Sequence, residues 1–284
     1  MKKAFACIMI GALLGSAALA EYRWEGEYPA AAANLPNAYT VAANPRVKAL
    51  AEYALKALEF PANGVFWEDG ELWAQDRPED TGERATLSYN SRGDLHYNKD
   101  TQAHVNSDPN DALQASLAFG EKALGTTEYM YGMPHIVWYY EEDGQLLTHI
   151  YEFVWPILTP EGVPVMGQSL SITYANGLVS RLDLWDAQLT VAEGEKPYPF
   201  ADSQKALNQL NAAAAGEMHS SALDDPNDKL ERMHLTYTPV FSAEDQYTLA
   251  WAFELRDAQS HQLKQPVFVE VATGRVYDGR RILE

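Results

Sequence analysis

The chain has 284 residues, 46% of them hydrophobic, a formal net charge of −19 and one cysteine. A surface that acidic repels nucleic acid and anionic lipid and disfavours both as partners, while one cysteine excludes a disulfide framework. The apolar content is enough for one large domain or two to three small ones.

Residues 1–20 read as a secretory leader. Lys2 and Lys3 precede an apolar run, and Ala18-Leu19-Ala20 supplies a small-residue cleavage site before Glu21. Cys7 lies inside this leader, so an exported chain has no thiol for a metal site or a nucleophile. The expected location is secreted or extracytoplasmic, with no membrane span after cleavage; an uncleaved leader would leave the chain membrane-anchored.

Glu21 to Ala43 shows no periodicity and reads as an irregular leader or linker. Asn44-Pro45 then opens a helix by N-cap and N1 proline, with Val47, Leu50, Ala51 and Ala54 on one face. Hairpins follow around Asp69-Gly70 and Arg92-Gly93, which completes an N-terminal portion at 21–106. Ser107-Asp108-Pro109 starts a second helix with Gly125 as its C-cap residue. After it come strands about an acidic turn at Glu141 to Gly144, and a hairpin at Ala175-Asn176-Gly177. A linker containing Lys196-Pro197-Tyr198-Pro199 leads to a third helix from Asp202, striped by Ala206, Leu207 and Leu210. Its strands include Leu249 to Leu255, which alternate strictly, and Val267 to Val271 before a Thr273-Gly274 turn.

The plan at 107–191 resembles the plan at 200–284: a helix and then an antiparallel meander. The expected fold class is therefore α+β, a tandem repeat of helix-plus-meander units with the helices on one face of each sheet. Residues 44–98 also read as helix plus meander and have the look of a third, diverged copy.

Catalytic signatures are absent from the sequence. Seven histidines occur without H-x-x-x-H or H-E-x-x-H spacing, and His96 with His104 makes a poor metal pair. No nucleophile elbow, phosphate loop or dinucleotide fingerprint is present. Asp224-Asp225-Pro226-Asn227-Asp228 lacks the alternation of a calcium loop and reads as a solvated turn. The expectation is a protein that is not an enzyme, with no catalytic residue, cofactor or metal. Strand aromatics remain: Trp138, Tyr140, Trp155 and Trp185 are the candidates for contact with a partner or a glycan, against the commoner role of core packing.

Two stretches carry a family resemblance. Tyr151-Glu152-Phe153, Gly162-Val163-Pro164-Val165 and the strand Leu170 to Tyr174 form one. Leu249 to Phe253 with Val267 to Val276, ending in Ala272-Thr273-Gly274, forms the other. Over about 111–279 the chain resembles PepSY-like modules and extracytoplasmic regulators of the YycH/YycI type, although Val271 stands where the family usually has an acidic residue. The resemblance implies a regulatory protein-interaction module of the bacterial cell envelope, with a partner of the sensor-kinase or protease class and no catalytic residues. The alternative is a secreted carbohydrate-binding module or glycoside-hydrolase accessory protein that contacts cell-wall glycan.

Overall fold

The computed structural model describes residues 22–32, 34–76, 84–100, 107–143, 146–192, 198–215, 223, 225, 227–240, 243–278 and 281–283. The leader, His104, Gly144, Lys196-Pro197, Asp224 and Pro226 lie outside the described residues.

Among the described residues three α-helices accompany 15 strands. In chain order these are β1 (Ala38–Ala43), α1 (Pro45–Ala57), β2 (Val65–Glu68), β3 (Glu71–Asp76), β4 (Ala85–Tyr89), β5 (Asp94–Lys99) and α2 (Pro109–Leu124). There follow β6 (His135–Asp143), β7 (Leu146–Leu158), β8 (Pro164–Ala175), β9 (Leu178–Trp185), β10 (Ala187–Ala192) and α3 (Ser203–Ala215). The chain ends with β11 (Lys229–Val240), β12 (Ala243–Arg256), β13 (Val267–Glu270), β14 (Val276–Asp278) and β15 (Arg281–Leu283).

The helices form where the caps predict. Asn44 accepts from Arg46 N at 3.0 Å and Asp108 from Asn110 N at 2.8 Å, each followed by proline at the first helical position. Gly125 closes α2 with φ 65°, and Asp202 caps α3 by accepting from Lys205 N at 3.0 Å. Gly120 lets α2 lie close to the sheet, since a Cβ there would meet Met130 Sδ at 2.6 Å and Ile172 Cδ1 at 3.0 Å.

The expected tandem α+β units are not what these elements build. All 15 strands join one large mixed sheet, ordered β15-β14-β13-β12-β11-β8-β9-β5-β4-β3-β2, with β6 and β7 continuing from β8 and β10 and β1 attached to β12. Two pairings overturn the unit plan. β5 pairs antiparallel with β9 from Asp94↔Trp185 to Asn98↔Arg181, so the N-terminal hairpins are part of the same sheet as β6 to β9. β8 then meets β11 in parallel at Tyr237↔Val165, where Thr236 Oγ1 also donates to Pro164 O at 3.0 Å. Alternation marks where strands lie but says nothing about which edges meet, and distant edge pairing sets the architecture.

Part of the stretch expected to be an irregular leader or linker is a paired strand. Its end is β1, which pairs with β10 (Ala38↔Ala192) and, along its other edge, with β12 (Ala38↔Thr248). Its beginning is pinned by Asn211, which accepts from Tyr22 N at 2.8 Å and donates to Tyr22 O at 3.0 Å.

Two apolar cores lie beneath the helices. One gathers Val47, Ala51 and Leu124 from α1 and α2 with Leu72, Leu95, Phe153, Trp155 and Leu184 from the sheet. The other packs Leu207 and Leu210 of α3 on Trp251, Phe253, Val267 and Val269. Among the described residues the opposite face of β2 to β9 carries no helix, and that is the surface of interest.

Candidate functional site

Cross-strand register assembles the helix-free face from one residue per strand. Leu72, Leu95, Leu184, Leu170 and Phe153 point into the core, so their strand neighbours point away. The resulting rank runs Phe66↔Trp73↔Ser88↔His96 across β2 to β5. It continues His96↔Asp183↔Ser171↔Val154↔His135 across β9, β8, β7 and β6. Eight strands at about 4.8 Å spacing make a track of roughly 34 Å.

The middle of the track is a fixed polar network. His96 Nδ1 lies 2.7 Å from Asp183 Oδ1, and Arg181 pairs with the other oxygen of the same carboxylate. Asp183 is only 7% exposed although it is on the face without helices, because these two side chains cover it. Ser171 Oγ donates to Glu152 Oε1 at 2.6 Å beside it. An imidazole oriented by a carboxylate is the orienting half of a nucleophilic triad. Here the carboxylate is shared with Arg181, and among the described residues no hydroxyl is hydrogen-bonded to His96. The arrangement presents directed donors and acceptors.

Aromatic rings flank the network. Phe66 and Trp73 are 59% and 42% exposed, with ring centroids 6.2 Å apart and tilted by 40°. Trp185, at the end of β9, is 39% exposed and meets the His96 ring edge-on at 6.3 Å. On the other face of β2, Lys48 Nζ lies over the Trp67 ring at 5.4 Å.

At the β6 end the track runs into a groove of about 730 Å³, enclosed between this face and the helix-free face of β11 to β13. Val137, Val154, Met166 and Phe268 supply apolar walls, and Arg232 with the His135 and His234 imidazoles forms the polar end, or pole. Glu254 faces the pole at 3.7 Å from Arg232 and 3.8 Å from His234, both beyond hydrogen-bond distance. Burial holds the His234 imidazole below its ordinary value, Glu254 opposes that, and Arg232 and His135 reinforce it.

The aromatics singled out from the sequence separate into three groups. Trp185 is on the open face. Trp155 is 1% exposed and belongs to the core under α2, with its indole N–H turned to Gly132 O at 3.4 Å, so it is not a contact residue. Trp138 and Tyr140 occupy β6, opposite Tyr151 and His149 of β7, and their side chains lie outside the described part. Phe66, Trp73, His96, Asp183 and Arg181 were missed. Alternation within β3 and β5 fixes which residues share a side, but only the β5–β9 pairing reveals that the two sides form one surface. No group of three or more histidine, cysteine, aspartate or glutamate side chains suited to a metal ion occurs among the described residues. Nor is any helix among them long and apolar enough to cross a membrane.

No family model and no curated protein matches the chain, so the PepSY-like resemblance rests on its strand and turn motifs. Two solved structures are similar to it in fold. An uncharacterised protein from Eubacterium rectale is 9% identical with a TM-score of 0.46, covering 85% of each chain. The Bacillus megaterium YpeB C-terminal domain is 13% identical with a TM-score of 0.44, covering 86% of this chain and 99% of that one. Neither likeness bears on function, which rests on the face itself.

Proposed function

We propose that the protein is an exported, non-enzymatic module that binds another protein at the bacterial cell envelope through the helix-free face of β2 to β9. The observation that carries this reading is the pairing of exposed Phe66 and Trp73 at one end of the track with the fixed His96–Asp183–Arg181 network at its centre. Exposed aromatic anchors beside pre-arranged polar groups are the residue types that dominate the energetics of protein interfaces. A partner of the sensor-kinase or protease class follows from the family resemblance. Photo-crosslinking in the native envelope tests this. A photoreactive residue replacing Ser88 or Trp73 should give a discrete protein adduct, and one replacing Glu52, on the helix side, should give none. Equal labelling from both sides would overturn the assignment of the face.

A second reading has its own observation. Trp73 and Trp185 stand on either side of a hydrogen-bonding row, an arrangement on which sugar rings can stack. Co-sedimentation with purified cell-wall glycan, lost in Trp185→Ala and retained in Tyr53→Ala on the helix side, would favour it over a protein partner.

A further inference from the structure

A groove lying on the face of a sheet is lined by alternate residues of each strand, because only every second side chain points to that face. The groove beside β6 meets β6, β7 and β12 in this way, through His135 and Val137, Val154 and Pro156, Ala252 and Glu254. It meets β8 and β11 differently. Every residue from Pro164 to Ser169 lines it, and so do Arg232, Met233 and His234 in succession, although the Met233 side chain belongs to the core under α3. At these two strands the groove therefore opens onto main-chain edges. The pairing accounts for this: β8 and β11 are bridged in parallel at Tyr237↔Val165 alone, and from Ser169 onward β8 pairs with β9 instead.

The two edges are not equivalent. That of β8 is blunted, since Pro164 has no N–H, Gly167 leaves the extended conformation with φ 74°, and the Gln168 side chain is engaged by Ala187 N at 3.0 Å. β11 has neither proline nor glycine from Arg232 to Leu235, and among the described residues these four have no ladder partner on the side away from β12. The register shift between Leu230 and Arg232 bounds this open edge at one end and the Tyr237 bridge bounds it at the other. At about 3.3 Å per residue it is roughly 13 Å long.

We propose that this edge takes up an extended, uncharged segment of the partner protein as an added strand. In strand addition main-chain hydrogen bonds give affinity, and pockets for alternate side chains give specificity. The apolar walls at Val154, Met166 and Phe268 receive those side chains, in a groove of about 730 Å³, a size typical of ligand sites. The fixed charges decide against an ionised segment. Arg232 and Glu254 face each other at 3.7 Å and together carry no net charge, so an ion of either sign would meet its like in one of them. This deepens the protein-partner reading and rests on it, because β6 and β7 belong to the track and the groove alike.

Fluorescence polarisation of a labelled, end-capped hexapeptide of alternating valine and threonine, titrated with the whole chain, tests the proposal. Saturable binding is expected, weakened about tenfold or more when the threonines are replaced by lysine or by glutamate. Two further peptides carry N-methyl groups on odd or on even residues. A strand bonds to one neighbour through alternate residues, so one methylated peptide should lose binding about tenfold or more and the other should keep it. A photoreactive version should attach within 164–169 or 232–236. No saturable binding up to millimolar concentration, charged peptides that bind as tightly, methylated peptides that behave alike, as burial of any apolar molecule would give, or adducts elsewhere would each overturn strand addition. Crosslinking from Ser88 or Trp73 reports on the open face and not on the groove. A discrete adduct there without peptide binding here sinks the added strand alone, and peptide binding here without an adduct there sinks the assignment of the face alone.

Discussion

Asp228 shows how much one residue can depend on partners far along the chain. Its side chain has 0% exposure, with Oδ2 2.6 Å from Lys264 Nζ and Oδ1 accepting from Ala258 N at 3.1 Å. Removing one member of a buried pair strands the other charge, so Asp228→Ala should cost about 3 to 5 kcal/mol in denaturant unfolding. The exposed Arg46–Glu128 pair is the control, and Glu128→Ala should cost less than about 1 kcal/mol. Similar losses in the two variants would mean that Asp228 is solvated after all. The sequence reads Asp228 as the end of a solvated acidic turn, because composition alone cannot bring Lys264 to it. Asp186 is a different case. Burial lifts its carboxyl above the ordinary value, while the Tyr129 hydroxyl at 2.7 Å, the Arg46 guanidinium and the Asn44 amide at 2.9 Å oppose the rise. Above the unfolded value of about 3.9 the folded state then holds more of this proton than the unfolded state does. The Asp186 contribution to stability is therefore greatest at low pH and falls as pH rises through that window. Asp186→Asn removes the titration. Urea unfolding should show the variant gaining on the parent as pH rises from about 4, and a difference independent of pH would count against the raised carboxyl.

At the scale of elements, capping and turn chemistry were legible and edges were not. Asn44-Pro45 and Asp108-Pro109 start their helices and Gly125 ends the second where the caps predict, and Ala175-Asn176-Gly177 and Thr273-Gly274 turn as expected. What alternation in β5 and β9 could not say is that Asp94 to Asn98 pair with Arg181 to Trp185, a contact made only after α2 and three further strands have intervened. The turn after β13 makes a sharp prediction. Gly274 has φ 74°, and a Cβ there would come within 2.2 Å of the Phe200 ring, whose backbone N–H donates to Val271 O at 3.1 Å. Phe200 O in turn accepts the indole N–H of buried Trp251 at 3.0 Å, so the ring has little room to withdraw. Gly274→Ala should cost about 1 to 3 kcal/mol from overpacking, added to roughly 1 to 2 kcal/mol for the left-handed conformation. Gly70, with φ 83° and nothing within 4 Å of its Cβ position, should show the conformational cost alone. Equal melting shifts for the two alanine variants would mean that Phe200 moves aside freely.

Across the whole molecule the two cores are coupled. Val163 and Val165, from the turn and strand that follow β7, pack into the core under α3. Tyr39 of β1 stands edge-on to Tyr237 of β11 at 4.8 Å and donates to Glu161 at 2.8 Å, while the Tyr237 hydroxyl donates to Pro36 O at 2.7 Å. Unfolding followed near Trp155 and near Trp251, each reported by a variant in which it is the only tryptophan, should therefore show coincident transitions, the mark of two-state behaviour. Separate midpoints would show the seam at Val165 and Tyr237 to be a boundary between independent units. The division at residues 191 and 200 drawn from the sequence gave no hint of this coupling, since the residues that make it come from β1, the turn after β7 and β11 together.

β1 sets a constraint in time. It is the first strand among the described residues, yet both of its neighbours are late: β10 supplies Ala192 and β12 supplies Thr248 opposite Ala38. A chain delivered from its N-terminus has this strand waiting, open along both edges, until more than half of the sequence has followed. Pairings of such long sequence separation close slowly, and an unpaired edge in a slow-folding chain is where misassembly begins. A chain cut short before β12 would leave one edge of β1 open for good, so truncation there exposes the first strand as well as removing the last ones.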